Sequence, residues 1–233
     1  MLDIGELLES KIIKIEDMKV TCFIPFSSKE ESLITIHSML NSGLVKRLVL
    51  VAKEDPMIAM TGVQWLQAGS LSATATLKDA ASLVDTDYVT IYTKTQGMEL
   101  GQNALHRMIK AMDESNAGMV YSDYYEKKEG KLSAHPVIEY QDGSLRDDFN
   151  FGSLMLYNAI LFKSAISDMT TSFGFAALYD LRLKVSQKAK LVHLPEILYT
   201  EEELDTRLSG EKMFDYVDPR NRAVQIEMEQ ACT

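Results

Sequence analysis

Acidic side chains have the clearest capacity for chemistry in this sequence. Asp123 stands near the end of an apolar run, and Asp147 and Asp148 lie together in a polar segment. Carboxylates of this kind hold magnesium or manganese when two or more of them reach the same ion. Spacing along a chain does not establish proximity, and acidic loop residues are commonly just solvated. A carboxylate metal site and a solvated surface therefore both stay open.

Other chemistries find little support. The histidines show neither HxH nor HxxxH spacing, which argues against a histidine metal centre; they are His37, His106, His135 and His193. Cys22 and Cys232 are far apart and form no CxxC pair, which argues against a zinc site and a disulfide framework and fits a reducing cytoplasm. The chain lacks the GxGxxG and P-loop motifs, and Ser153 lacks the G-x-S-x-G context of a hydrolase nucleophile.

Aromatic residues are frequent in the second half of the chain. Rings of this kind either stack on the apolar faces of sugars or fill a core, and the sequence alone allows both. The set comprises Tyr121, Tyr124, Tyr125, Phe149, Phe151, Tyr157 and Tyr179.

Composition narrows the function further. The 233 residues are 46% hydrophobic and 25% charged, which is typical of a globular domain and allows one large α/β domain. Lys plus Arg number 24 against 34 Asp plus Glu, a net charge of -10 that argues against a nucleic-acid partner. The first residues mix charged with apolar side chains, so they do not resemble a signal peptide, and no stretch has the length of a membrane span.

The order of elements predicts an α/β fold with a doubly wound, mostly parallel sheet. Val20 to Pro25 and Arg47 to Ala52 are short apolar runs typical of buried strands, and a helix between them starts at Ser27-Ser28 and stops at Gly43. A further strand is predicted at Tyr88 to Tyr92, before a strongly periodic helix. In such sheets the ligand crevice lies at the carboxyl ends of the strands.

The second half of the domain is expected to continue this pattern. Gly118 to Tyr125 predicts a strand that returns as a hairpin near His135, and Glu139 to Gly152 predicts a long loop over the crevice. Two separate strands are predicted at Leu191 to Leu194 and at Ile197 to Thr200. The chain ends at Thr233 without a glycine or proline stop signal, which favours further chain after it.

Four segments in this order resemble the family-2 glycosyltransferases. Val20 to Pro25 with the following helix start is similar to that family's opening strand, and Tyr88 to Leu105 to its strand, D-x-D turn and helix entry. Ala177 to Leu183 is similar to its E-D-x-x-L segment, and Val192 to Tyr199 to its V-x-x-P-E-x-L-Y strands. The resemblance implies a nucleotide-sugar-binding domain of the GT-A type over residues 19–208, between an accessory arm at 1–18 and a C-terminal extension at 209–233.

The resemblance implies inverting transfer of a sugar from a nucleotide-diphosphate sugar to a hydroxyl acceptor. Asp180 matches the position of the general base, where the helix dipole would keep the carboxylate ionised; the alternative is a structural aspartate paired with Lys184 or Arg182. The family's D-x-D turn, which binds a divalent ion, is replaced by Thr93-Lys94-Thr95. Threonine hydroxyls are poor substitutes for carboxylates, which disfavours a magnesium or manganese site there.

The donor crevice is expected to include residues from several strand ends. These residues are Pro25, Phe26, Ser27, Ser28, Lys53, Lys78, Thr93, Lys94 and Thr95. Lys94 would supply positive charge to the diphosphate, and Arg207 matches a basic residue of the family that contacts it. The acceptor would enter over Asp142 to Asn150. Two hypotheses follow: a metal-independent glycosyltransferase, or a catalytically inactive GT-A-like binding or scaffold module attached to a further domain.

Overall fold

The computed structural model describes residues 19–141, 149–202 and 222–232. The predicted arm at 1–18 and Arg207 lie outside these ranges. The described strands are β1 (Val20–Pro25), β2 (Val45–Ala52), β3 (Val63–Gln67), β4 (Tyr88–Tyr92), β5 (Met98–Leu100), β6 (Met119–Lys128), β7 (Lys131–His135), β8 (Leu154–Asn158) and β9 (Leu191–Glu202). The described helices are α1 (Lys29–Asn41), α2 (Thr74–Leu83), α3 (Ala104–Ser115), α4 (Ala159–Ser167), α5 (Ala177–Ser186) and α6 (Arg222–Ala231).

All nine described strands form one sheet in the order β3-β2-β1-β4-β8-β6-β9-β5, with β7 paired to β6. β1 pairs in parallel with both β2 and β4, β2 with β3, and β6 with β9. Because β8 is antiparallel to both β4 and β6, these two strands run the same way, so six of the nine strands share one direction. The predicted α/β class with a mostly parallel sheet is confirmed.

The first β-α-β unit shows why the sequence folds this way locally. β1 is buried along nearly its whole length, as a strand in the interior of a parallel sheet must be. Ser28 caps α1 by accepting a hydrogen bond from the backbone N–H of Glu31. After the helix, Gly43 adopts a positive φ of 73°, which lets the chain turn directly into β2.

Three elements differ from the sequence prediction, and one of them is the short strand β5, which was not predicted. The two strands expected on either side of Pro195 form one strand, β9. Its pairing with β6 shifts register at this proline, because Leu194 and Ile197 pair with consecutive residues of β6. This irregularity accommodates a proline that cannot donate a ladder hydrogen bond. Strand β8 was not predicted, because a five-residue apolar run carries too little periodicity to separate a buried strand from a buried helix.

The core lies on both sides of the central strands and contains many tyrosines. Tyr121, Tyr157 and Tyr179 are almost completely buried, as is Phe151, so most of the aromatic set is core; Tyr125 is exposed. Within the described residues, no helix is both long enough and apolar enough to cross a bilayer.

Candidate functional site

A crevice of about 620 Å³ lies at the carboxyl ends of β1, β2 and β4. This is the edge at which an open α/β sheet binds its ligands. Its lining consists of Pro25, Phe26, Val51, Ala52, Lys53, Glu54, Asp55, Gly69, Ser70, Thr93 and Thr95. Other cavities along α1 and α3 contain none of the predicted site residues.

Five predicted donor-site residues from three separate segments line this crevice: Pro25, Phe26, Lys53, Thr93 and Thr95. Hydrogen bonds fix these segments to one another. The backbone N–H of Phe26 donates to the carbonyl of Val51 at 3.0 Å, and the Ser27 hydroxyl donates to the carbonyl of Thr95 at 3.0 Å. The structure therefore brings together residues that are up to 70 positions apart in the sequence.

The crevice also contains residues that were not among the predicted donor-site residues. Glu54 and Asp55 follow β2, and Asp55 accepts a hydrogen bond from the backbone N–H of Met57 at 2.8 Å. Gly69 and Ser70 follow β3. The signal for Glu54 and Asp55 was their position just after the predicted strand Arg47 to Ala52, because parallel strands end at the same edge of the sheet.

Lys94 is engaged in an ion pair within the fold. Its ammonium group contacts the carboxylate of Glu201 on β9 and lies 6.0 Å from the centre of the Tyr124 ring. The Lys94 side chain is 37% exposed, whereas that of Glu201 is completely buried. The positive charge that was expected to meet a diphosphate is thus neutralised by a buried acid.

The turn 93–95 does not fit a divalent ion. It offers two threonine hydroxyls and an ammonium group that is already paired, whereas magnesium and manganese prefer carboxylate oxygens. Across residues 19–141, 149–202 and 222–232, no group of three or more His, Cys, Asp or Glu side chains is arranged to hold a metal ion.

Asp180 lies in the first turn of α5, as predicted, but it lines neither the crevice nor the inner cavity described below. Its carboxylate is 2.9 Å from the ammonium group of Lys184, one turn further along the helix, and its side chain is 5% exposed. The structural pairing with Lys184 is therefore present. Lys78 lies on α2 with an exposed side chain and does not line the crevice.

Asp123 also has a structural partner. Its carboxylate lies 2.8 Å from Nε2 of His193 and accepts a hydrogen bond from the backbone N–H of Val137 at 2.9 Å. The other two acids considered with it, Asp147 and Asp148, lie outside the described residues.

A second, inner cavity of about 220 Å³ borders the crevice and shares Thr93 with it. Its wall comes from the end of β4, the segment before β8, helix α5 and helix α6. The lining residues are Ser72, Thr93, Phe149, Asn150, Phe151, Gly152, Met155, Phe175, Leu178, Tyr179, Arg182 and Met228. Arg182 is the one charged residue in that described lining, and the sequence suggested for it only a pairing with Asp180.

Comparison with known proteins identifies the fold. No protein-family model matches the chain, and no curated protein matches it by sequence. Solved structures of S. aureus TarS match it at 12–13% identity. The TarS fragment 1–349 superposes with a TM-score of 0.56 over 78% of this chain. The same fragment in complex with UDP-GlcNAc gives a TM-score of 0.55 over 82% of this chain. The longer TarS structure gives a TM-score of 0.58 over 80% of this chain.

The chain spans less than two thirds of those TarS chains, namely 60% of the fragment and 37% of the longer protein. Similarity at this level of identity defines a fold. The chain has a GT-A-type glycosyltransferase fold, as the sequence resemblance implied.

Proposed function

We propose that this chain binds a nucleotide-diphosphate sugar in the crevice at the ends of β1, β2 and β4. The observation that carries the proposal is the convergence of Pro25, Phe26, Lys53, Thr93 and Thr95 on one concave site at the edge where this sheet class binds ligands. TarS, which shares the fold, has been solved in complex with UDP-GlcNAc and with UDP.

The crevice has two chemically different ends. Glu54 and Asp55 supply carboxylate acceptors after β2, suited to the hydroxyl and N–H groups of a nucleoside. Thr93 and Thr95 supply hydroxyl donors after β4, suited to phosphate oxygens. This polarity supports a binding mode with the nucleoside towards β2 and the diphosphate towards β4.

The donor is proposed to bind without a divalent ion. The turn 93–95 carries no carboxylate, and its one cation is paired with Glu201. Binding in a chelator should therefore equal binding in manganese or magnesium.

The proposed reaction is an inverting transfer of the sugar to an acceptor hydroxyl. The acceptor oxygen would bond to the anomeric carbon, its proton would pass to a carboxylate, and the nucleoside diphosphate would leave with the electron pair of the broken bond. Asp180 remains the proposed base. To act, its carboxylate must leave Lys184 and reach the acceptor hydroxyl beside the donor crevice, whose described lining does not include Asp180.

A second candidate function, nucleotide-sugar binding without transfer, is favoured by that same ion pair. A general base must come within hydrogen-bonding distance of the proton that it removes, and the Asp180 side chain is 5% exposed and held 2.9 Å from Lys184. In this alternative Asp180 anchors α5, and the domain presents a bound nucleotide sugar or serves as a scaffold.

Donor binding is tested by the thermal unfolding of the protein with uridine, guanosine, thymidine and cytidine diphosphate sugars. Each sugar is measured with manganese, with magnesium and with a chelator. A donor present at about 100 times its dissociation constant should stabilise the fold by roughly 2.7 kcal/mol, equally in all three conditions. A flat response across the panel would contradict the proposal.

Two variants separate transfer from binding alone. Asp180→Asn and Lys184→Met both remove the ion pair, but only the first removes the carboxylate. If Asp180 is the base, Asp180→Asn loses transfer while it retains donor binding, and Lys184→Met keeps transfer. Equal turnover in the two variants would exclude Asp180 as the base, and no turnover in the wild-type protein that binds donor would favour the binding module.

A further inference from the structure

The inner cavity has the electrostatics of an anion site. Its described lining combines the hydroxyls of Ser72 and Thr93 and the amide of Asn150 with one guanidinium group, and it includes no carboxylate. At about 220 Å³ the cavity has room for several water molecules of roughly 30 Å³ each, and hence for a phosphate group.

Arg182 lacks the acidic partner that Arg47 and Arg107 possess. Arg47 pairs with Asp85 at 3.1 Å, and Arg107 pairs with Glu196. Among the described residues no carboxylate contacts Arg182, and its buried Nε has no hydrogen-bond partner. Arg182 as a whole is half-buried; a buried guanidinium nitrogen without a partner is costly, and the oxygen of a bound anion would supply the missing partner.

The guanidinium group of Arg182 is nevertheless held in position. It lies 5.5 Å from the centre of the Phe151 ring, in a cation–π arrangement, and it projects from the second turn of α5. The surroundings are apolar enough that burial lowers the pKa of Arg182 below its ordinary value. A planar fork of N–H donors fixed at the wall of a cavity is suited to bidentate contact with phosphate oxygens.

Thr93 connects this cation to the donor crevice, because it lines both cavities. It is the first residue of the turn where the metal-binding acids of the resembled family are absent, and the second residue, Lys94, is neutralised by Glu201. Arg182 lines the same cavity as Thr93, and no carboxylate in the described ranges pairs with it.

We propose that Arg182 binds the diphosphate of the nucleotide sugar through its guanidinium group and takes the place of the missing divalent ion. The inference rests on the proposed donor binding in the adjacent crevice. Arg182 then neutralises phosphate charge from the inner cavity, while the nucleoside occupies the outer crevice towards Glu54 and Asp55.

The test compares nucleoside diphosphates with their parent nucleosides by isothermal titration in a chelator. UDP, GDP, dTDP and CDP are titrated into wild-type protein and into Arg182→Met, with Arg107→Met as the matched control because Arg107 is an exposed surface arginine. We expect Arg182→Met to lower the affinity for the preferred nucleoside diphosphate about ten- to a hundredfold and to leave the affinity for its nucleoside unchanged. Arg107→Met should bind both ligands as the wild type does.

Equal diphosphate affinity in wild type and Arg182→Met would overturn the role of Arg182 and leave donor binding intact. A wild type that binds no nucleoside diphosphate would instead overturn the proposed function. In that case inorganic pyrophosphate is the remaining probe: stabilisation that is lost in Arg182→Met would support an anion site, and no stabilisation would overturn it. If Arg182→Met does not fold, Arg182→Lys replaces it as the test variant. Lysine keeps the charge but loses the planar fork, so the affinity for the nucleoside diphosphate should fall and that for the nucleoside should not change.

Discussion

The turn after β4 and the inner cavity, which share Thr93, each carry one cation, and the fold uses these two cations in opposite ways. Lys94 in the turn contacts a completely buried glutamate, Glu201. Arg182 in the cavity has no acidic partner in the described parts of the chain and faces an apolar ring. A charged side chain near a site therefore indicates ligand binding only when it has no partner within the fold. Lys94 stabilises the structure, whereas Arg182 is available to a ligand.

The largest effect on stability is expected from Lys94→Met. Removal of the ammonium group leaves the Glu201 carboxylate buried without a partner, which should cost about 3 kcal/mol in the free energy of unfolding, the lower end of the range for buried pairs. Denaturant unfolding measures it. The double variant Lys94→Met with Glu201→Gln should recover part of the loss, and an unchanged midpoint for Lys94→Met would show that the pair does not hold the turn.

The variant Gly152→Ala, in the wall of the inner cavity, is expected to lower the free energy of unfolding by about 2 kcal/mol, which is less than the effect of Lys94→Met. Gly152 has a φ of +71°, and a Cβ there would overlap the hydroxyl of Tyr199, which accepts a hydrogen bond from Ser153. Thermal unfolding measures the loss, and titration with a nucleoside tests the crevice. Weaker nucleoside binding by this variant would show that the two cavities are not independent.

Arg182→Met should change stability in the opposite direction from Lys94→Met. Without ligand, replacement of an unpaired, half-buried charge by an apolar side chain is expected to stabilise the fold by about 1 kcal/mol. Denaturant unfolding of the ligand-free protein tests this. A destabilisation as large as that of Lys94→Met would mean that Arg182 is a structural cation as well.

The smallest effect concerns the contact between α6 and the start of α5. The carboxylate of Glu227 accepts hydrogen bonds from the backbone N–H groups of Gly174, Phe175 and Ala176 at 2.6 to 3.1 Å. Partial burial raises its pKa, but the three hydrogen bonds together hold the pKa below its ordinary value of 4.5. The hydrogen bonds stabilise the fold by less than about 1 kcal/mol because solvent screens the charge. This stabilisation is complete above pH 4.5 and is lost as the pH falls through the lower pKa that Glu227 has in the folded protein.

Amide chemical shifts of Gly174 and Phe175 measure this contact directly. They should change below pH 4.5 in the wild type and should be insensitive to pH in Glu227→Gln. Identical titration curves in the two proteins would exclude Glu227 as the acceptor.

The sequence predicted the crevice at the strand ends better than the inner cavity. Val20 to Pro25 and Tyr88 to Tyr92 are strands with the predicted bounds, and the residues directly after them line the crevice. Such residues are predictable because their position follows from strand order alone.

The pairing of side chains across the sheet was beyond sequence reasoning. Lys94 and Glu201 are 107 positions apart; Lys94 follows β4 and Glu201 lies on β9, and these two strands are separated in the sheet by β8 and β6. Arg182 lies near Phe151, which is held beside it through a strand, β8, that periodicity did not detect. Whether a cation is paired depends on these long-range contacts, so neither outcome was visible in the sequence.

Titration of the preferred nucleoside diphosphate into Gly69→Trp in a chelator is the most direct test of donor binding in the crevice. Gly69 lines the crevice in a backbone conformation that accepts a side chain, and a Cβ there would lie 3.6 Å from Lys53, so an indole should fill the site without unfolding the protein. Ile160→Trp, at an exposed position on α4, is the control. We expect the wild type and Ile160→Trp to bind the nucleoside diphosphate and Gly69→Trp not to bind it. Equal affinity for all three proteins would contradict donor binding in the crevice.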